Sequence, residues 1–147
     1  MTLVYADPSA LARAYLPNEP HHDELLSLLL EGGDLVVTSE LARLELASAI
    51  RAAGRAGRLR RWRETLARVD EDLAEGGPLT PLALRPEVVL EPAYRLVLAH
   101  RLRTLDALHL AVALEECPQL ADGEEIVFVT RDEDQAAAAS AAGLAVR

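Results

Sequence analysis

The stretch EEIVFVTRDEDQAAAASAAG, residues 124–143, decides the fold class because it joins a strand pattern directly to a helix pattern. Its first part, 124–132, is rich in β-branched and aromatic residues, which predicts a buried strand. The alanine-rich part that follows predicts a helix ending at Gly143, and LAVR (144–147) then closes the chain as a further strand. A strand, a helix and a second strand in this order are typical of a parallel sheet.

The same alternation of strands and helices extends over the whole chain. Strands are also predicted at LVYAD (3–7), at DLVVTS (34–39) and, weakened by Pro81, within residues 78–84. Helices are predicted at 8–16, 22–31, 40–54, 58–75, 86–101 and 104–116, with Pro118 beyond the last of them. The pattern therefore predicts an α/β fold in which helices cover both faces of a parallel sheet. A length of 147 residues suits one domain, 1–147.

The composition of the chain indicates which residues form its core and in which compartment we expect the protein. Half of the residues are apolar but only 3% are aromatic, so leucine, valine and alanine must form the core. No apolar run approaches the ~20 residues of a membrane helix, and no basic segment precedes the first apolar stretch. The single cysteine, Cys117, has no partner for a disulfide within the chain. We therefore expect a cytoplasmic protein without a membrane partner.

The charge is unevenly distributed along the chain. The net charge is −9, and all 15 basic residues are arginine. Seven of these arginines and one acid, Glu64, lie between Arg51 and Arg68. Within this basic segment, arginines could hold RNA phosphates and the tryptophan could stack on a base or contact a protein partner: Arg55, Arg58, Arg60, Arg61 and Trp62. A solvated arginine face with a half-buried tryptophan explains the same pattern equally well.

Four acidic residues lie at the ends of predicted strands or on predicted helices, where a functional site could form. Asp7 and Asp132 end predicted strands, and the functional crevice of a parallel α/β sheet lies at the carboxyl ends of its strands. Asp106 lies near the start of an apolar helix, two residues after a plausible N-cap, Thr104, and Glu45 lies on the helix after the second strand. Each acid has a simpler explanation as a helix cap, a dipole partner or an arginine-paired surface residue.

Taken together, the four acids predict a metal site. Carboxylates that share one pocket cannot all stay ionised without compensation. Mg²⁺ and Mn²⁺ prefer carboxylate and water oxygens, and their positive charge can offset the repulsion between the carboxylates. Such ions activate water and stabilise a leaving oxygen, which is the chemistry of a phosphodiesterase.

Four segments together resemble the PIN-domain ribonucleases, and most of all the VapC toxins of bacterial type II toxin–antitoxin pairs. They are VYADPSAL (4–11), VVTSELARLELASAI (36–50), LRTLDALHLAVAL (102–114) and IVFVTRDEDQAAAA (126–139). The resemblance covers essentially the whole chain in the order of the family. It implies a three-layer α/β/α sandwich with a mostly parallel five-stranded sheet, and Mg²⁺- or Mn²⁺-dependent cleavage of RNA. It also implies a homodimer and a cognate antitoxin protein.

The resemblance assigns residues one by one. The family's acidic positions fall on Asp7, Glu45, Asp106 and Asp132, all expected to be catalytic and to bind metal. Ser9 and Thr130 match the hydroxyl residues that support the site. The chain departs from the family pattern at Pro8, where threonine or a small residue is common, and Asp134 competes with Asp132 for its assignment.

Two other kinds of protein and one further residue role are compatible with parts of this pattern. Phosphoaspartyl enzymes also place acids at strand ends, but they hold the phosphoryl group with a lysine, which this chain lacks. A non-catalytic domain that only binds RNA or a protein remains the alternative, although the intact acids disfavour it. His109 is a candidate general base, but its spacing favours packing beside Leu105 and Leu108.

Overall fold

The computed structural model describes residues 2–147. It contains five strands and seven helices among these residues. The strands are β1 (Thr2–Ala6), β2 (Leu35–Ser39), β3 (Leu79–Leu82), β4 (Glu125–Val129) and β5 (Ala145–Val146). The helices are α1 (Pro8–Tyr15), α2 (His22–Leu29), α3 (Leu41–Arg55), α4 (Trp62–Leu73), α5 (Pro86–Ala99), α6 (Thr104–Ala121) and α7 (Glu133–Ala141).

The strands form one sheet in the order β3-β2-β1-β4-β5, and all four pairings are parallel. β1 lies at the centre, with Tyr5 paired to Val37 of β2 and to Phe128 of β4. β3 is an edge strand, which explains why Pro81 is tolerated in it, since an edge position does not need the missing N–H.

Side chains alternate between the two faces of the sheet and so feed two separate cores. On one face, strand residues such as Val4 and Val36 pack against α1, α2, α3 and α4. On the other face, residues such as Tyr5 and Phe128 pack against α5, α6 and α7. The predicted three-layer α/β/α sandwich is therefore confirmed, with a sheet that is parallel throughout.

The structure differs from the sequence expectation at two helix positions. α6 continues through Pro118 to Ala121, whereas the prediction ended it at residue 116. Burial of Cys117 and Ala121 on either side of the proline offsets the hydrogen bond that the proline removes. α6 also begins at Thr104, so its N-cap is Arg103 and no side chain caps it. Within residues 2–147, no helix has the length and hydropathy needed to cross a bilayer.

The loops that follow β1 and β4 lie side by side at the carboxyl edge of the sheet. The N–H of Asp7 donates to the carbonyl of Val129 over 2.9 Å, so the ladder between β1 and β4 continues into the loops that follow both strands. Residues 7 and 130–132 thus leave the sheet side by side, although more than a hundred positions separate them in sequence.

Helix α3 offers a matched test of this packing. Leu46 is fully buried in the core beneath α3, whereas Leu44 on the same helix is 72% exposed. Leu46→Ala should lower the free energy of unfolding by about 2–5 kcal/mol because it leaves a cavity. Leu44→Ala should change it by no more than about 0.5 kcal/mol. Urea unfolding measures both, and equal losses would contradict the burial assigned to α3.

Candidate active site

Asp7 is a buried carboxylate at the junction of β1 and α1. It is only 3% exposed and caps α1, since the N–H of Ser9 donates to its Oδ2 over 2.9 Å. The side-chain amide of Gln135 donates to its Oδ1, also over 2.9 Å. Asp7 therefore caps α1 as the simpler explanation predicts. The cap uses one lone pair of Oδ2, so both carboxylate oxygens can still accept further hydrogen bonds or bind a metal.

Asp132 caps α7 in the same way, with the N–H of Gln135 donating to its Oδ1 over 2.8 Å. Its own N–H donates to Thr130 Oγ1, which is also 3.1 Å from Ser9 Oγ. Ser9 Oγ in turn accepts the N–H of Arg131. The two predicted hydroxyl residues thus tie the loop after β4 to the start of α1. Asp134 is exposed, which favours Asp132 for the predicted assignment.

Asp106 lies in the first turn of α6, where the helix dipole favours a negative charge. Its pKa is nevertheless raised, first by burial and then by the charges of Asp132 and Asp7. Arg103 lowers the pKa only in part: its Nε is 3.8 Å from Oδ2, and its side chain is 90% exposed. A surface pair of this kind is weak. The raised pKa indicates that Asp106, Asp132 and Asp7 are within electrostatic reach of one another.

Glu45 is held from α6 by His109. The Nε2 of His109 lies 2.5 Å from Glu45 Oε2, and its Nδ1 lies 2.7 Å from the hydroxyl of Tyr5. The Tyr5 oxygen accepts the N–H of Ser39, so its own hydrogen is available for Nδ1. In this series of hydrogen bonds, every donor has an acceptor if Nε2 of His109 carries the imidazole proton and donates it to Glu45. His109 is buried, but both of its ring nitrogens are hydrogen-bonded, so packing alone does not describe its role.

Glu45 and Asp106 line one open groove of about 640 Å³. The remaining wall is largely apolar and consists of Val97, Leu102 and Leu105, with Arg103 and Thr104 at the start of α6. Asp7, Asp106 and Asp132 are thus within electrostatic reach of one another at the sheet edge, and Glu45 shares the groove with Asp106.

The donor chemistry of this site fits a hard divalent cation bound largely through water. Within residues 2–147, no three His, Cys, Asp or Glu side chains are close enough to ligate one ion directly. Mg²⁺ usually keeps several waters and is bound through one or two carboxylates, so it does not require such a cage. The acids are paired with few cations, and their mutual repulsion is the charge imbalance that a divalent ion relieves.

Gln135 is the site residue that the sequence analysis missed. Its position three residues after Asp132 is the third position of a capping box, which the spacing D-x-x-Q would have indicated. That motif predicts a bond back to the cap, however, and not a side chain that reaches Asp7 and Thr130. The sequence predicts only that Tyr5 lies in a buried strand, because the contact of its hydroxyl with His109 depends on how α6 packs against β1.

The basic segment lies apart from the acids. Arg55 is ten residues after Glu45 on α3, which is about 15 Å along the helix axis. Trp62 is half-buried, with the guanidinium groups of Arg51 and Arg63 at 4.3 and 4.1 Å from its ring. It also packs against Gly54, where any side chain would collide with it. The two guanidinium groups therefore lie over the ring on which a base was predicted to stack.

The four predicted arginines of this segment are all exposed, but they differ in their partners. Arg58 pairs with Glu19 at 3.2 Å, and Arg61 pairs with Glu64 at 3.6 Å. Among residues 2–147, Arg55 and Arg60 have no ion-pair partner. These two arginines are the ones whose charge is available to another molecule.

Comparison with known proteins gives two findings. Residues 4–141 match the PIN domain family. The structure is similar to the crystal structure of VapC20 from Mycobacterium tuberculosis, described as a toxin that cleaves the sarcin–ricin loop. The TM-score is 0.63 at 17% identity, over 96% of this chain and 95% of that one, which is a likeness of fold. No curated protein matches the sequence.

The raised pKa of Asp106 predicts a gain in stability when its charge is removed. Because the folded state disfavours the ionised form, Asp106 destabilises the protein once the pH exceeds its raised pKa. Without divalent metal at pH 7, Asp106→Asn should therefore raise Tm relative to the wild type. The gain should shrink as the pH falls through the raised pKa. Asp134→Asn is the control at an exposed acid, and a drop in Tm for Asp106→Asn alone would contradict the charge crowding.

Proposed function

Because the chain belongs to the PIN-domain family, we propose that it is a Mg²⁺- or Mn²⁺-dependent endoribonuclease that hydrolyses RNA phosphodiester bonds. The observation that carries the proposal is that Asp7, Asp106 and Asp132 lie within electrostatic reach of one another at the carboxyl edge of the sheet, where burial and then the charges of Asp132 and Asp7 raise the pKa of Asp106. Charge crowding costs stability, and a site that bears such a cost is a candidate for function.

Asp7, Asp106 and Asp132 would hold the metal, in part through bound water, and Glu45 would contribute from the groove that it lines with Asp106. The chemistry that a bound Mg²⁺ or Mn²⁺ supplies is activation of a water and stabilisation of the leaving oxygen. Oxygens that receive no donor from residues 2–147, such as Glu45 Oε1 and Asp132 Oδ2, are available to metal or water.

The protein's own residues keep this site ordered and accessible. Ser9 and Thr130 fix the loop after β4 against α1, which sets the position of Asp132 relative to Asp7. His109 holds one oxygen of Glu45, so the other oxygen has a defined direction. The open groove beside Glu45 and Asp106 gives a single strand or a loop of RNA access to the acids. The structurally similar VapC20 is described as cleaving the sarcin–ricin loop, which supports a looped substrate.

We further propose that the protein is the toxin of a toxin–antitoxin pair and acts in the cytoplasm as a homodimer. The exposed apolar residues of α5 support protein partners, because four of them recur at helical spacing on one face: Leu90, Tyr94, Val97 and Leu98. Val97 also lines the acid groove, so a partner seated on α5 would reach the site. A cognate antitoxin and a second copy of the chain are the two partners proposed for this surface.

The reaction itself is the first test. The purified protein should cleave single-stranded or looped RNA only with Mg²⁺ or Mn²⁺ and leave 5′-phosphate and 3′-hydroxyl ends, because water is the nucleophile. Asp7→Asn should lower the rate at least about 100-fold, as loss of a metal-site group does. Asp134→Asn should cleave like the wild type.

Mapping the product ends decides the outcome. Cleavage that persists in excess chelator, or a 2′,3′-cyclic phosphate, would contradict the mechanism. RNA binding without cleavage under any metal condition would favour the non-catalytic alternative.

The basic segment generates a second test, since Arg55 and Arg60 carry charge that no other residue in 2–147 pairs with. With Asp7→Asn as a cleavage-deficient background, Arg55→Glu/Arg60→Glu should weaken single-stranded RNA binding. The slope of log affinity against log salt should fall by about 0.7 per lost phosphate contact. Arg95→Glu, an exposed arginine on α5, is the control. An unchanged slope would show that the segment is a solvated face toward RNA.

A further inference from the structure

Gln135 is fully buried in the first turn of α7 and contacts three of the four acidic segments. Its Nε2 donates to Asp7 Oδ1 over 2.9 Å and to the carbonyl of Asp106 over 3.1 Å. Its Oε1 accepts the hydroxyl of Thr130 over 2.6 Å, and its backbone N–H donates to Oδ1 of Asp132, which caps α7. Among residues 2–147, no other side chain hydrogen-bonds to the segments of Asp7, Asp106 and Asp132 at once.

The orientation of this amide is fixed by its partners. A carboxylate and a backbone carbonyl can only accept, so the group that faces Asp7 and Asp106 must be the NH₂ group. Thr130 Oγ1 accepts from the N–H of Asp132, which leaves its hydrogen for Oε1. A flipped amide would place its oxygen against two acceptors. The oxygen and the nitrogen of the buried amide are therefore both hydrogen-bonded, and only one orientation of the amide satisfies these bonds.

We infer that Gln135 is a positioning residue that sets the spacing of Asp7, Asp106 and Asp132 for the metal. The inference rests on the proposed function. An arginine or lysine at this point would also orient Asp7, but it would neutralise the charge that attracts a divalent cation. A neutral amide fixes the direction of Asp7 Oδ1 and ties the start of α6 to it without supplying a competing cation.

The test compares Gln135→Met with Ala138→Gly. Methionine keeps the length of the side chain but cannot donate to Asp7 or Asp106. Ala138 is buried on the same helix and its methyl group cannot hydrogen-bond to an acid, so its change to glycine tests weakening of α7 by itself. Gln135→Met should lower Mn²⁺ affinity, measured by calorimetry, by about 10–100-fold. It should also lower kcat for RNA at fixed Mn²⁺ while KM for RNA changes by less than about twofold, and Ala138→Gly should leave all three values near those of the wild type.

A measurement on the wild-type protein covers the case in which Gln135→Met does not fold. The chain has one other glutamine, the exposed Gln119. The side-chain amide protons of Gln135 should exchange with deuterium far more slowly than those of Gln119, because they are buried and bonded. Equal exchange rates would overturn the inference.

The outcomes separate this inference from the proposed function. Failure of the wild type to bind Mn²⁺ would contradict the proposed function itself. A wild type that binds Mn²⁺, together with Gln135→Met of equal affinity, would overturn the role of Gln135 alone. Equal losses in Gln135→Met and Ala138→Gly would also overturn it, since weakening of α7 would then explain both.

Discussion

The parallel pairing of β1 with β4 is the constraint on which the site depends. Asp7 follows β1 and Asp132 follows β4, and these strands are joined from Thr2 and Glu125 to Ala6 and Val129. Because the pairing is parallel and in register, both strands end at the same level and release their acids into the same space. The hydrogen bond from Asp7 to Val129 extends the ladder by one step, so the position of Asp7 is set by the backbone.

Gathering carboxylates at one edge of the sheet creates electrostatic repulsion, which Arg103 relieves only weakly, because its side chain is 90% exposed and its Nε lies 3.8 Å from Asp106. The side chains that hydrogen-bond to the acids are the amide of Gln135 at Asp7 and the imidazole of His109 at Glu45. Tyr5 holds that imidazole from the central strand. The arginines instead concentrate on α3, α4 and the turn between them. Negative charge is thus preserved where a divalent ion would bind.

The sequence predicts the parts of this structure that depend on local pattern. The alternation within 124–147 identifies β4, α7 and β5, because each element carries its own periodicity and stop signal. The acids follow from the same reasoning, since each one ends a strand or lies on an apolar helix. Gln135 could not be placed in this way, because its bond to Asp7 spans 128 residues and depends on how α7 lies against β1. The continuation of α6 through Pro118 likewise depends on tertiary burial, which overrides the local signal.

The most direct measurement of the central claim is the location of a divalent ion in crystals grown with Mn²⁺, whose anomalous scattering identifies it. The account predicts Mn²⁺ in the space bounded by Asp7, Asp106 and Asp132, with water completing its coordination and Glu45 facing it across the groove. An ion bound at another place in the molecule, with these three carboxylates unchanged and without metal, would contradict the claim that they form one metal site.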